Sequence, residues 1–329
     1  MSLNPITATE EIEKRYLQYL STTFYINDTN LRGNFIQELS QKNRFIKGPI
    51  LEATPPFKKG KSINQLISEG ILSHEFKKLS SPDLPVDREL YLHQERGIRK
   101  IITEERNIIA ATGTGSGKTE IFMIPILNYL FTQKEKTGEL SPGVRALLLY
   151  PMNALANDQL KRLRNLLCNY PDITFGSYTG ETEETEEEAQ DKYRKIFNGA
   201  EPLNNEILSR QKMREKPPHI LITNYAMLEY LLLRPDDNDF FDGPYAGNWK
   251  YIVLDEIHTY TGAKGIEMSM LLRRLKERVV TDKSPKIRFI GTSATIGRGK
   301  KDFNKVAEFG EKLFGEEVFW DDFNERKQD

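Results

Sequence analysis

The 329-residue chain carries 47 basic and 48 acidic residues, a formal net charge of −1, with 38% hydrophobic and 29% charged residues. With no basic surplus it is not a duplex binder working by broad phosphate neutralisation, so any nucleic-acid contact must be local. No run of about 18 or more apolar residues occurs, which argues against a membrane-spanning helix, and a single cysteine excludes an internal disulfide or cysteine metal cluster.

The opening segment, "MSLNPITATEEIEKRYLQYL", lacks a basic flank followed by an apolar core, so no secretion signal is expected. The lone thiol suits a reducing cytoplasm. Residues 8–50 read as helices: Ile12, Tyr16 and Tyr19/Leu20 share one face, as do Leu31, Phe35, Ile36 and Leu39. "EATPPFKKGKS" (52–62) breaks the pattern, a short helix "INQLISEGIL" follows, and "LSSPDLPVD" (79–87) breaks it again. Residues 1–87 are therefore expected to form a small, mostly helical accessory region.

From residue 88 apolar strands alternate with helical patterns. The strand-like runs are "NIIAA" (107–111), "VRALLLY" (144–150), "DITFGSY" (172–178), "HILITN" (219–224), "YIVLDEI" (251–257) and "KIRFIGTSAT" (286–295). In 264–279, Met268, Leu271/Leu272, Leu275 and Val279 recur at helical steps. Near-continuous apolar strands separated by helices predict a parallel sheet covered on both faces. Ligands of such sheets lie outside the carboxyl ends of the strands. Cys168, in the helical "RLRNLLCNY", reads as a small buried hydrophobe rather than a nucleophile. "TGETEETEEEAQDKY" places six glutamates between 181 and 188 and reads as a solvated acidic loop or helix start; a strand-separating or regulatory element is the competing reading.

"TGTGSGKT" (112–119) follows an apolar strand and opens a helix. It fits the phosphate-loop pattern, with Thr112 at the first glycine position. Gly113, Gly115 and Gly117, with Thr114 and Ser116 between them, let backbone N–H groups curl around phosphate oxygens. Lys118 offers a point charge to the phosphates and Thr119 a hydroxyl to magnesium, while the helix N-terminus faces the anion. Pro125, within "EIFMIPIL", predicts either a kink or a tolerated proline. "YIVLDEIH" delivers Asp255 and Glu256 at a strand end, with His258 beyond. Asp255 suits magnesium and Glu256 suits the attacking water. ATP and Mg2+ are the expected cofactors.

The set resembles the first RecA-like motor domain of a superfamily 2 DEAD/DEAH-type helicase, over roughly residues 88–315. "YLHQ" is similar to the glutamine motif, whose Gln94 would read the adenine edge. "TGTGSGKT" is similar to motif I, "YPMNALANDQ" (150–159) to motif Ia, "YTGET" (178–182) to motif Ib, and "TNYAMLEYLL" (223–232) to the segment before motif II. "DEIH" (255–258) and "TSAT" (292–295) resemble motifs II and III. The wording of motif Ia and of "DEIHTY" is similar to large bacterial helicases, several of them linked to phage defence. The resemblance implies a three-layer α/β fold with a mainly parallel sheet. It implies ATP hydrolysis by Glu256 and Lys118, and nucleic-acid backbone contacts by Pro151, Asn153, Thr179, Gly180, Thr223 and Asn224. It implies coupling by His258, Ser293 and Thr295. Asn153 and Asn224 equally suit helix N-caps, and Thr179-Gly180 a plain turn.

Such motors use two RecA-like domains, and residues 316–329 read as a linker toward a second one, without room for it. The chain alone is therefore expected to bind ATP-Mg but hydrolyse it slowly, since an arginine finger is worth about 10³–10⁵ in turnover. Expected partners are nucleic acid, DNA favoured over RNA, the second RecA-like domain, and defence-complex subunits; no membrane is expected. A duplex DNA translocase and a non-catalytic nucleic-acid-binding scaffold are the rival readings.

Overall fold

Alternation puts Ala146, Leu148 and Tyr150 on one face of a strand and Leu147 and Leu149 on the other, and all five side chains are buried. A strand apolar on both faces needs cover on both, and the computed structural model supplies it with two helical layers. It describes residues 4–41, 44–45, 56–242, 245–280, 285–296, 300–318 and 320. Two compact units are distinguished, Met1–Pro56 and Phe57–Asp329.

The first unit holds helices α1 (Pro5–Thr23) and α2 (Thr29–Leu39), capped by the side chains of Asn4 and Asp28. Both helices fall where the apolar spacing predicts, yet neither buries a residue among those described. The expected helix over 46–50 lies outside the described residues.

The second unit begins earlier than the break at 79–87 suggests. Strand β1 (Lys59–Ser62) leads into α3 (Ile63–Ser68) through a Ser62/Gln65 capping box, followed by α4 (Phe76–Leu79). Strand β2 (Glu89–Tyr91) then pairs antiparallel with β1 and opens α5 (Leu92–Ile102). Ile63, Leu66, Phe76 and Leu79 are buried in the same core as α5 and the helix after the phosphate loop. Residues 57–87 therefore pack with the larger unit. The sequence hid this because the polar "KGKS" of β1 has no apolar alternation.

The main sheet comprises β3 (Ile108–Ala111), β4 (Ala146–Tyr150), β5 (Phe175–Tyr178), β6 (Glu206–Ile207), β7 (Ile220–Asn224), β8 (Tyr251–Leu254) and β9 (Arg288–Ser293). Their order is β3-β9-β8-β4-β7-β5-β6, every pair parallel. One face is covered by α5, α6 (Lys118–Thr137) and α7 (Asn153–Leu167). The segment after β5 forms α8 (Glu186–Ile196), and α9 (Arg210–Glu215) follows β6. The other face is covered by α9, α10 (Tyr225–Leu233), α11 (Gly262–Val279) and α12 (Phe303–Phe314). This is the three-layer α/β fold that the strand pattern predicts.

Four local outcomes bear on the sequence reading. Helix α6 runs unbroken through buried Pro125. The acidic segment starts α8, with Thr185 and Glu188 forming a capping box and three glutamates in the first turn, where the helix dipole favours negative charge. Strand β6, two residues long, is too short to show a period; the guanidinium of Arg164 in α7 holds its buried Glu206 by two hydrogen bonds of 2.7 and 2.6 Å. Cys168, expected to be buried, is exposed. The buried stripe of α7 runs through Ala156, Leu163, Leu166 and Leu167, and the next residue turns off that stripe.

Candidate functional site

The chain leaves β3 at Ala111 and enters α6 at Lys118 through a loop with left-handed glycines at 115 and 117. Gly117 suits a left-handed backbone, and a Cβ there would stand 2.2 Å from Gln94 Nε2 and 2.9 Å from Glu120 Oε2, so both side chains would have to shift. The hydroxyls of Thr112 and Ser116 lie 2.7 Å apart and close the loop, which explains a threonine in the first position. Lys118 Nζ donates to the carbonyls of Thr112 and Gly113 at 3.0 and 3.1 Å. Gly113, Thr114 and Gly115 are exposed, and Thr119 is half-buried in the first turn of α6.

Gln94 is 3% exposed and braces this loop from behind. Its Oε1 accepts from the Tyr91 N–H at 2.7 Å and its Nε2 donates to the Gly117 carbonyl at 2.8 Å. His93 Nε2 lies 2.9 Å from the Ser116 carbonyl.

Asp255 and Glu256 follow β8 directly. The Asp255 N–H donates to Leu149 O at 2.9 Å, and its Oδ1 accepts a hydrogen bond from the hydroxyl of Thr292 in β9. Burial pushes the Asp255 carboxyl above its ordinary range. The Thr292 hydrogen bond opposes this, the Glu256 charge adds to it, and the Lys118 ammonium pulls it back. The phosphate-loop lysine thus acts electrostatically on Asp255. Glu256 is left-handed (φ 50°, ψ 51°), strained for a non-glycine residue and typical of active sites. Its Oε2 is buried without a hydrogen bond, 3.1 Å from His258 Nδ1. His258 Nδ1 is also 3.1 Å from Ser293 Oγ. That oxygen accepts from the N–H groups of Thr295 and Ile296, and the Ser293 carbonyl accepts from Thr112 N–H. Motifs I, II and III therefore meet at the adjacent ends of β3, β9 and β8.

The remaining expected residues gather at the ends of the next three strands. Asn224 caps α10, its Oδ1 accepting from Met227 N–H at 2.8 Å. Its Nδ2 donates to Asn153 Oδ1 at 2.8 Å, and Asn153 Nδ2 donates to Glu181 Oε1 at 3.0 Å. Pro151 is half-buried and Gly180 exposed. Thr179 forms a turn in which its Oγ1 accepts from Glu181 N–H, while its carbonyl accepts from Arg210. Thr223 does not reach the surface: it is 0% exposed and its hydroxyl donates to Tyr178 O at 2.6 Å. The glutamates of the acidic segment pair with nearby bases, Glu183 with Lys192, Glu184 with Arg214 and Glu186 with Lys212.

Two residues that the sequence reading missed stand beside the site. Thr292 orients Asp255, and its only signal was its place next to Ser293. Glu120, 6% exposed, accepts from Arg88 at 3.1 Å and from Arg162 of α7 at 2.9 Å. It directly follows the lysine–threonine pair of the loop.

The donors fit a magnesium ion shared with phosphates. Thr119 and Asp255 offer hard oxygens, and Mg2+ typically takes one or two carboxylates plus substrate phosphates.

Fold and site together define a RecA-like phosphate-loop NTPase motor domain. The family model for DEAD/DEAH box helicase matches residues 91–303, and the chain belongs to that family. It is 28% identical to the Druantia protein DruE of Escherichia coli (strain UMEA 4076-1), over 88% of this chain and 20% of that protein. It is 33% identical to the uncharacterized ATP-dependent helicase YprA of Bacillus subtilis (strain 168), over 69% of this chain and 25% of the relative. Among solved structures, the DUF1998 helicase MrfA bound to DNA and AMPPNP superposes with a TM-score of 0.55 at 27% identity, covering 80% of this chain and 30% of that one. The chain thus spans a fifth to a third of the length of these relatives. Among the described residues no helix is long and apolar enough to cross a membrane.

Proposed function

We propose that this domain binds ATP-Mg2+ between the phosphate loop and the Asp255–Glu256 pair, and that its hydrolysis drives the parent protein along DNA. In this reading the loop amides and Lys118 hold the phosphates, and Thr119 and Asp255 hold the magnesium, which neutralises phosphate charge. Glu256 orients the attacking water and takes its proton. Gln94 braces the loop from behind, and reading the adenine edge would require it to release the Tyr91 N–H or the Gly117 carbonyl. Pro151, Asn153, Gly180, Asn224 and the Thr179 turn meet the nucleic-acid backbone, with Thr223 supporting them from below. His258, Ser293 and Thr295 link the two sites, and a second RecA-like domain completes the nucleotide pocket.

The observation that carries the reading is the continuous polar edge along the carboxyl ends of β3, β9, β8, β4 and β7. It runs from Lys118 through Asp255 to Asn224 and Asn153. The preference for DNA draws on the DNA-bound MrfA structure. A defence role, with partner subunits, draws on the similarity to DruE.

The test is ATP turnover of the parent protein with single-stranded DNA, duplex DNA and RNA in turn, alongside duplex-unwinding and triplex-displacement assays. Stimulation by DNA supports the reading. Triplex displacement without unwinding makes the protein a translocase, and turnover indifferent to every nucleic acid removes the motor assignment.

A further inference from the structure

Tyr150, the first residue of the motif Ia segment, stands between Asp255 and Asn224 in a polar row at the strand ends. Strand register pairs Ala110 with Thr292 and Tyr150 with Asn224. One step beyond the pairs Leu254–Gly291 and Leu149–Leu254, it sets Asp255 beside Thr292 on one side and beside Tyr150 on the other. Alternation puts these side chains on the α6/α7 face, where Val253, Leu148 and Ile290 also pack. Neighbouring strands lie about 4.8 Å apart, so the Tyr150 ring starts next to the Asp255 carboxylate.

The Tyr150 ring is 1% exposed, and its hydroxyl has no hydrogen-bond partner among the described residues. A buried, unpaired hydroxyl costs stability, and phenylalanine would fill the same space without that cost. Two charges act on this phenol, the Asp255 carboxylate and the Arg162 guanidinium. Arg162 is itself fixed by Glu120 from the first turn of α6. The phenol oxygen bonds neither group directly, so a buried water is what can link it to them.

We propose that Tyr150 is a positioning residue for the metal-binding carboxylate. Its hydroxyl donates toward Asp255 through one buried water, from the side opposite Thr292, and so fixes the carboxylate orientation that meets magnesium. Through that water Tyr150 joins the Asp255–Thr292 hydrogen bond, and the Arg162–Glu120 pair ties the same face of the sheet to the phosphate-loop helix. The inference rests on the ATP-Mg2+ reading above.

The test is a binding measurement. A fluorescent, non-hydrolysable ATP analogue is titrated against the 329-residue chain in EDTA and in saturating Mg2+, and the ratio of affinities is the magnesium-dependent gain. Loss of a partner behind a metal ligand typically costs 10–100-fold in metal affinity. Tyr150→Phe is therefore expected to lower the gain about 10-fold, with the affinity in EDTA unchanged. Thr292→Val calibrates the loss for the hydrogen bond already seen. If Tyr150 only fills the core, Tyr150→Phe melts at or above the wild-type temperature with the gain intact, and the inference is overturned. A wild-type chain with no magnesium-dependent gain removes the ATP-Mg2+ reading and this inference with it. A wild-type gain that the variant retains removes this inference alone.

Discussion

Asn224 Nδ2 donates to Asn153 Oδ1 at 2.8 Å, joining the ends of two neighbouring strands, while the other end of the Asn224 amide caps α10. The two jobs can be separated. Asn224→Asp keeps an acceptor for Met227 N–H, and a carboxylate at a helix N-terminus is favourable. It loses the donor to Asn153 and sets a negative charge where a phosphate backbone would lie. Asn224→Asp should therefore melt close to wild type yet bind a labelled single-stranded oligonucleotide more weakly, most visibly at low salt. Asn224→Ala should lose about 1 kcal/mol of stability through the cap. Equal oligonucleotide anisotropy curves for wild type and Asn224→Asp would remove Asn224 from the nucleic-acid edge.

Glu256 keeps a buried carboxylate oxygen without a hydrogen bond in a backbone conformation that costs free energy. Glu256→Gln preserves the shape and removes the proton acceptor. ATP turnover of the parent protein should fall by about 10²–10⁴ with nucleotide affinity unchanged. Phosphate release alongside nucleotide titration separates the two effects. Unchanged turnover would favour the scaffold reading.

The loop can be tested at its glycines. Gly117→Ala imposes a left-handed conformation on an L-residue, about 1–2 kcal/mol, and drives a methyl group into the Gln94 amide. Melting should drop by at least that free energy, and nucleotide binding should weaken as the Gln94–Gly117 hydrogen bond breaks. Gly113→Ala adds a methyl group into open space and should fold like wild type. Identical melting curves for the two variants would show that Gln94 does not brace the loop.

Six strands of the main sheet and both ends of the nucleotide site were legible because apolar strands and short motifs are local patterns. "TGTGSGKT" and "DEIH" each state their chemistry within eight residues. What was not legible depended on partners far away in sequence. β1 is polar and declares itself only by pairing with β2, so the break at 79–87 reads as the boundary although the units divide after Pro56. Cys168 sits one residue past a buried stripe, which a helical pattern resolves only when the stripe's direction is known. Thr223 looks like a surface residue by its motif, but a strand-end hydroxyl can turn inward to a neighbouring carbonyl, and here it does. Thr292, Glu120 and Tyr150 matter through strand register and burial, which no single segment reveals.

His219, outside the site, governs acid stability. Its Nδ1 accepts from Thr174 N–H at 2.9 Å and its Nε2 lies 3.0 Å from the Ser141 carbonyl, so a neutral ring protonated on Nε2 satisfies both. Burial, reinforced by the Arg145 guanidinium and opposed by the Ser141 carbonyl, pushes its pKa down to about 4. In the unfolded chain a histidine titrates near 6.5. Between those values the unfolded chain takes up a proton that the folded chain refuses. The stabilisation is thus fully present above about pH 6.5 and is lost as pH falls toward 4, up to about 3 kcal/mol. Glutamine offers one acceptor and one donor without titrating in this range. Urea midpoints measured between pH 7.5 and 4.5 should fall more steeply for wild type than for His219→Gln, and parallel curves would show that His219 does not set the acid limb.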